Sequence, residues 1–477
     1  MKYVLYILLG LFLLLLIIIL IRTFLFIDKE IYKTDYKEKE IDDKIVEDLK
    51  LFIKCKTVSY IEKEKEDKEE FEKLIEDVKT RYPLIFSKCE TRILKNRGIY
   101  IKVKGSESNE SVVLLAHYDV VEATHGWDND PFLGEIVDGK VYGRGALDTK
   151  CTFASALRAL EENLKFDYKP KRDLYLCFGA DEEIYGTSQY EILEILKNDG
   201  VRPMLVFDEG GGVIKNAFPG VKDYTALLGT AEKGMFDVKL SLDTSGGHSS
   251  SPKKNGPIIE LSRALERLDK HPMKPQFCMT TKELLNKLGR HSSFIYKMIF
   301  ANLWLFKGLL KRVFMLLGGD TKALVSSTFA FTVINGGNQT NVIPSHVEAN
   351  INVRQAPFNS KEEIISHIKK TIKNDRIKIE VLNESKMYKE CEINTEGYNL
   401  IKETIKDVYP GSIVSPFIMI GGTDARHYNE ISDCIIRFTP IKIENIERKG
   451  IHGTNEAIKI ETLKKCLEFY LDLLSKV

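Results

Sequence analysis

Three short apolar runs in this chain each stop at side chains that carry charge or bind metal. Residues 112–116 lead into His117 and Asp119; residues 173–178 lead into Asp181, Glu182 and Glu183; residues 204–207 lead into Asp208 and Glu209. Apolar runs of this length, bounded by turn residues, read as buried strands. In open α/β sheets ligands bind beyond the carboxyl ends of the strands. Alternate residues of a strand share a face, so His117 and Asp119 point into one space. An imidazole beside a carboxylate is a way to orient a metal ligand; a buried His–Asp hydrogen bond is the other reading of the same pair. Acidic loop residues are usually only solvated, but three such strand ends constrain the chain to an α/β fold with a charged crevice at one sheet edge.

The segments between these runs fit that frame. Residues 45–53 and 68–82 have helical apolar spacing, and 98–103 read as a further strand. The glycine-rich stretch Tyr142-Gly143-Arg144-Gly145-Ala146-Leu147-Asp148 is a loop before a helix over 151–164. Asp148 is placed there either to cap that helix or to bind metal; one role does not exclude the other. After Thr230 the pattern changes to strand 234–243, a loop holding Gly246-Gly247-His248-Ser249, helix 257–268, strands 327–334 and 346–353, helix 361–372 and strand 376–381. This order suits a small α+β domain inserted at 230–388. Helix–strand alternation then resumes, with a loop at Gly421-Gly422-Thr423-Asp424, a second at Gly450-Ile451-His452-Gly453, and a closing helix over 460–474. Neither Gly-x-x-x-x-Gly-Lys nor Gly-x-Ser-x-Gly occurs, which argues against a phosphate-binding loop and against a serine hydrolase.

At 477 residues the chain is too long for one ordinary domain. Its net charge of +1, without long single-sign blocks, gives no basis for a nucleic-acid partner. The eight cysteines include no Cys-x-x-Cys and read as small core residues. At the amino end, residues 3–21 carry no charge. As a helix they would span about 28 Å, close to the apolar thickness of a bilayer. The run is long for a cleaved signal, and no small-x-small site follows it, so the reading is an uncleaved single-pass anchor over 1–27 with a tether at 28–42. Arg22, Lys29, Lys33, Lys37 and Lys39 follow it against Lys2 before it, which leans towards a cytoplasmic body. Residues 293–317 form a second apolar stretch with basic residues interspersed. They read as helices packed on the small domain or across a dimer, or as a surface that meets membrane or acyl chains.

Taken in order, His-x-Asp, Gly-Arg-Gly-x-x-Asp, Glu-Glu, Asp-Glu-Gly-Gly, Gly-Gly-His-Ser and a late His resemble the M20 family of zinc peptidases and amidohydrolases, with the carboxypeptidase S and N-acyl-amino-acid hydrolase subgroup as the nearest match. The resemblance covers about residues 45–477. It implies an α/β zinc-peptidase-like catalytic domain in two parts, 43–229 and 389–477, and a lid and dimerisation domain between them. It implies two Zn2+ ions, with Co2+ and Mn2+ as alternatives: His117, Asp148 and Asp208 on one, Asp148, Glu183 and His452 on the other, and a cis peptide after Asp148. Glu182 would be the general base, Asp119 would orient His117, and His248 would stabilise the oxyanion, reaching the partner's site in dimers. Asn341, Arg354, Gly422 and Thr423 would bind substrate, with Arg354 on its free carboxylate. The implied reaction is hydrolysis of a peptide or N-acyl bond beside that carboxylate. An aminoacylase or dipeptidase on small polar substrates, and a non-catalytic binding protein on the same scaffold, are the alternatives. His248 and Arg354 also admit a bland reading, as a solvated loop histidine and a surface salt bridge.

Overall fold

A computed structural model describes all residues except 30, 31, 33, 34, 108, 109 and 384–388. Its main strands are β1 (Glu90–Ile93), β2 (Ile99–Val103), β3 (Ser111–His117), β4 (Asp173–Gly179), β5 (Pro203–Asp208), β6 (Gly212–Lys215), β7 (Tyr224–Glu232), β8 (Gly234–Asp243), β9 (Thr328–Gly336), β10 (His346–Gln355), β11 (Lys378–Leu382), β12 (Ile413–Met419), β13 (Ile435–Arg437) and β14 (Lys442–Ile443). The helices used below are α1 (Lys2–Leu25), α2 (Lys44–Ile53), α3 (Lys150–Leu164), α4 (Pro257–Lys270), α5 (Met279–His291), α6 (Phe294–Ala301), α7 (Leu303–Leu317), α8 (Gly319–Ala323), α9 (Lys361–Ile372) and α10 (Ile460–Lys476).

The apolar runs form the centre of a ten-stranded sheet, ordered β1-β2-β4-β3-β5-β13-β7-β6-β14, with β12 also paired to β7. Every residue of β3 and β4 is buried. That burial explains why they read as continuous apolar runs: parallel strands covered on both faces have no solvent side to alternate with. β3 lies parallel to β4 with His117 opposite Gly179, and parallel to β5 with Leu114 opposite Phe207. Their carboxyl ends therefore emerge together. α3 packs between α2 and α10 on one face of this sheet.

The smaller sheet, ordered β9-β10-β8-β11, is antiparallel throughout. β10 alternates strictly between buried and part-exposed positions, as a half-covered strand should. The buried face of β8 and β10, with Phe236, Val238, Ile351 and Val353, packs on Ile364, Ile368 and Leu268 from α9 and α4, forming a core of its own. The chain crosses into this unit through Lys233 between β7 and β8. On its return the Cys391 amide donates to the Thr230 carbonyl at 2.7 Å. Residue 388, the expected end of the insertion, lies outside the described residues.

Within that span one segment departs from the expectation of a single inserted lid. Cys278, Leu284, Leu285, Leu288, Phe300, Leu310, Phe314 and Leu324 join the core of the large sheet, and α5 packs against β12. Leu284, Leu285 and Leu288 share one face of α5, and that stripe is satisfied by the large sheet. α6 and α7 are apolar nearly all round, yet only Phe300, Ala301, Leu310 and Phe314 of them are buried. α1 is long and apolar enough to cross a membrane. It packs on α6: the Arg22 guanidinium donates to the Ala301 carbonyl at 3.2 Å, and the Asn302 amide donates to the Ile19 carbonyl at 3.3 Å. All eight cysteines are free, seven of them buried.

Candidate metal centre

Asp148 stands at the middle of the strand-end cluster. Its Oδ1 lies 3.2 Å from His117 Nε2 and its Oδ2 lies 3.1 Å from His452 Nε2, so one carboxylate touches both imidazoles. Glu209 Oε1 is 3.1 Å from His117 Nε2, and Glu183 Oε2 is 2.9 Å from His452 Nε2. Two trios share Asp148: His117 with Glu209, and Glu183 with His452. Within each trio the ligand atoms lie within 4.8 Å of one another.

Asp208, expected from the sequence beside His117, is not the acid in that trio. Its Oδ1 accepts the Glu209 amide at 2.9 Å and its Oδ2 accepts the Ala425 amide at 2.8 Å. Its carboxylate braces the turn from which Glu209 reaches out. Two adjacent acids at the end of a strand are hard to separate by sequence. Beyond β5 the pleat no longer fixes alternation, and Gly210, Gly211 and Gly212 all take positive φ.

The loops that present the cluster are held by buried hydrogen bonds. Glu456 is fully buried. Its Oε1 accepts the Leu147 and Asp148 amides at 2.7 and 3.1 Å, and its Oε2 accepts the Gly145 amide and the Arg144 guanidinium at 3.0 and 2.8 Å. It thereby locks the Asp148 loop to the His452 loop four residues away. Sequence reading passed over Glu456 although it closes the His452 loop. Thr149, not Asp148, occupies the cap position of α3, and the Asp148–Thr149 peptide is cis. Asp119 does two jobs. Its carbonyl oxygen lies 3.0 Å from His117 Nδ1, and its carboxylate accepts the Glu182 and Glu183 amides at 3.1 and 3.2 Å. Ser59 donates to the same carboxylate at 2.7 Å. His452 has φ 56°, and a Cβ on Gly453 would come within 2.3 Å of the Lys449 carbonyl oxygen, so glycine is required there.

The electrostatics of the cluster are those of crowded acids. Burial raises Glu182 well above the ordinary carboxylate range, with Asp424, Glu209 and Glu183 adding to the rise. Burial likewise raises Glu209, to about 8. Burial opposes ionisation of Asp148, but the two histidines outweigh it and hold its pKa low. Hydrogen bonds to Asp148 and Glu183 raise His452 to about 10. Burial works against a charged His117, yet the carboxylates of Glu209, Asp119 and Asp148 lift it well above its ordinary value. Acids packed this closely call for compensating positive charge, and a set of imidazole nitrogens and carboxylate oxygens is the donor chemistry of zinc and related divalent ions. The residues therefore fit a divalent metal pair.

A cavity of about 530 Å³ runs from this cluster. Asp148, Glu182, Glu183, Glu209 and His452 line one end, together with Gly422 and Thr423. The Thr423 hydroxyl donates to Glu232 at 3.2 Å and accepts from Arg437 at 3.1 Å. The rest of the wall is mostly apolar, including Phe218, Leu227, Leu284, Leu288, Phe417 and Met419, with Asp320, Thr321, Thr439 and Arg448 as its polar members. His248, Asn341 and Arg354 are absent from this lining. His248 is exposed on the small domain with Nδ1 2.8 Å from Ser250 Oγ. The Asn341 carbonyl accepts the Ser249 amide at 3.1 Å. Arg354 donates to Asn352 at 3.2 Å. The structure thus brings His117, His452, Asp148, Glu182 and Glu183 together and adds Glu209, while Arg354 lies on β10 of the smaller sheet, His248 in a two-stranded ribbon paired with residues 342–343, and Asn341 in the turn before that ribbon's second strand. Asp424 is a further residue that sequence reading quoted only as part of a glycine loop; its Oδ2 is buried without a hydrogen-bond partner.

Fold and site together define a divalent-metal hydrolase built on a mixed α/β sheet. The chain belongs to peptidase family M20/M25/M40, whose family model matches residues 113–476. It is 35% identical over 456 residues to the N-fatty-acyl-amino acid synthase/hydrolase PM20D1.1 of Danio rerio, covering 92% of this chain and 87% of that one. It is 34% identical over 432 residues to the probable carboxypeptidase S-like 2 of Dictyostelium discoideum, covering 88% and 82%. Among solved structures, the M20 family metallo-carboxypeptidase Sso-CP2 of Sulfolobus solfataricus superposes with a TM-score of 0.67 at 18% identity, covering 91% of this chain and 99% of that one. A dinuclear metal-binding M20 peptidase of Bacillus subtilis superposes with a TM-score of 0.56 at 14% identity, covering 91% and 98%.

Proposed function

We propose that the protein hydrolyses the amide bond between a long apolar acyl group and an amino acid with a free carboxylate. The observation that carries this reading is one cavity lined both by the acids Asp148, Glu182, Glu183 and Glu209 with His452 and by a largely apolar wall of leucine, isoleucine, phenylalanine and methionine side chains. Its volume falls in the range of roughly 300–1,000 Å³ common to small-ligand sites. The name of the Danio rerio relative points to the same substrate class.

His117, Glu209 and Asp148 would hold one cation and Asp148, Glu183 and His452 the other, with zinc as the first choice. When bound, such ions polarise a carbonyl and lower the pKa of water. Glu182 takes the proton of the attacking water and delivers it to the leaving nitrogen. A carboxyl whose pKa is raised by burial suits that shuttle, because it must hold the proton between the two transfers. Asp119 keeps His117 and the Glu182–Glu183 turn in register. His248 is the proposed oxyanion donor, and Arg354 the proposed fork for the substrate carboxylate, with Asn341 beside it. These three reach the cavity by closure of the small domain or from a second copy of the chain. Gly422 and Thr423 form the floor beneath the scissile bond. α1 anchors the protein to a membrane; its docking on α6 through Arg22 and Asn302 supports a helix that stays attached.

The test is hydrolysis by the zinc-loaded full chain of N-palmitoyl-leucine, N-acetyl-leucine and leucyl-leucine. The long-chain substrate should have a kcat/KM about ten-fold or more above the acetyl compound, in keeping with burial of its extra methylenes. A preference for the dipeptide or the acetyl compound would refute the reading.

A further inference from the structure

We propose that α6 and α7 form a hairpin that inserts into the bilayer beside α1, so that acyl substrate reaches the cavity from the lipid. The inference rests on the acyl-amino-acid reading for its substrate, but not for the insertion itself.

The exposed faces of the two helices are mostly apolar, with Lys307 and Arg312 as exposed charged members of α7. On α6, Phe294, Ile295 and Tyr296 are exposed; on α7, Trp304, Leu305, Leu309, Val313, Leu316 and Leu317 are. Leu309 is 61% exposed and Leu316 86%. Leu305, Leu309, Val313 and Leu316 recur at spacings of four, four and three, which makes one continuous stripe along α7. A contiguous patch of this kind marks an interaction surface.

Two observations identify its occupant as lipid. The first is continuity with α1. The Phe24 and Phe294 rings lie 5.9 Å apart, the Arg290 guanidinium sits 4.6 Å from the Phe26 ring, and His291 Nε2 is 2.9 Å from the Asp28 carboxylate. A helix of membrane-crossing length and the hairpin thus share one side of the molecule, with charged groups where α1 ends. The second is charge. Between Glu283 and Asp320 the chain holds no acidic residue, while Lys287, Arg290, Lys297, Lys307, Lys311 and Arg312 lie within that span. An apolar helical face rimmed by Lys and Arg, with a tryptophan near one end, is the chemistry of a helix lying in an anionic membrane surface.

The hairpin is also coupled to the cavity. Leu284 and Leu288 just before it and Asp320, Thr321 and Leu324 just after it line the cavity. Phe218, another lining residue, has its ring 5.6 Å from Phe300 on α6. The apolar end of the cavity therefore lies behind the proposed lipid-facing helices.

Trp304 is one of only two tryptophans, so W127F leaves it as the sole emitter. The full-length variant is reconstituted into phosphatidylcholine–phosphatidylglycerol vesicles with and without brominated acyl chains. Emission at shorter wavelength, quenched by the brominated lipid and insensitive to aqueous iodide, is expected. Quenching by iodide as for a solvent-exposed indole, or protection from both quenchers as in packing against a second copy, overturns the insertion. Substrate entry is tested in otherwise native protein carrying Leu309→Glu and Leu316→Glu, two exposed positions. The kcat/KM for N-palmitoyl-leucine dissolved in the vesicles should fall roughly ten-fold while that for soluble N-acetyl-leucine stays within about two-fold. Equal changes on both substrates, or none on either, overturn lipid-side entry. If unaltered protein hydrolyses neither compound, the functional reading fails on its own, and the Trp304 measurement still decides the insertion.

Discussion

The two ends of the cavity are built on opposite principles. At the charged end each side chain is fixed by named partners: Asp148 through Glu456, Glu182 and Glu183 through Asp119, Glu209 through Asp208. These come from strand ends and their loops, and a shift of one residue would dismantle them. At the apolar end Leu284 and Leu288 come from α5 of the inserted segment, Leu324 follows α8, and Leu227, Phe417 and Met419 come from β7 and β12; what matters there is volume and apolarity. Chemistry and selectivity are thus separable, the first intolerant of substitution and the second open to it. M20 solved structures at 18% and 14% identity share the fold.

The largest effect that would break this division is at Glu182. Glu182→Gln should lower kcat on every amide substrate by about 10²–10⁴-fold, the scale of a lost general base, with bound metal unchanged by elemental analysis. Loss of metal along with activity would place Glu182 among the ligands instead. The next effect sharpens the boundary within the charged end. Glu209→Gln should weaken metal retention more than Asp208→Asn does. The latter removes a bracing carboxylate, for which a change of about 10–100-fold in affinity is the usual range. Competition with a chelator measures both; the reverse ranking would return Asp208 to the metal.

Much of the charged end was legible because its residues come in pairs at strand ends. Motif order anticipates the cluster that the structure makes of His117, Asp148, Glu183 and His452, since a parallel sheet brings successive carboxyl ends to one edge. Glu209 escaped because adjacent acids beyond a strand are indistinguishable until the backbone turn is known. Glu456 escaped because a buried carboxylate whose partners are three backbone amides and an arginine more than 300 residues away leaves no local residue pattern. The packing of the inserted segment was not legible for another reason. Its helices are apolar on most faces, so periodicity could not say whether α5 met the small sheet or the large one, and contact with β12 settles that only in three dimensions.

A smaller effect tests the apolar end. Leu284→Trp adds bulk to the wall and should cut kcat/KM for N-palmitoyl-leucine by about ten-fold. Overpacking typically costs 1–3 kcal/mol, and here it falls on the acyl chain. Turnover of N-acetyl-leucine should stay within about two-fold. If both substrates lose equally, the two ends are not separable and the contrast drawn above fails.

The smallest effect concerns the residue that joins the two ends. Lys233 is buried and donates to the carbonyls of Ala323 and Ser326 at 3.2 and 2.8 Å, flanking Leu324 of the apolar wall. Its neighbour Glu232 holds Thr423 at the charged end. Burial lowers the Lys233 pKa to about 7, with Arg354 and Lys322 adding to the fall, whereas an unfolded chain keeps lysine near 10.4. Between those values the unfolded state binds more protons, so this residue makes stability rise with pH. Its full penalty is present below about pH 7 and is gone above about 10.4. From pH 7.5 to 8.5 the gain should be about 1 kcal/mol, read as a rise in thermal midpoint of the full chain in detergent. Lys233→Met leaves two carbonyls without their donor and should melt lower at both pH values. It should also lose that share of the upward slope, and a slope equal to the unaltered protein's would show that Lys233 stays charged in the fold.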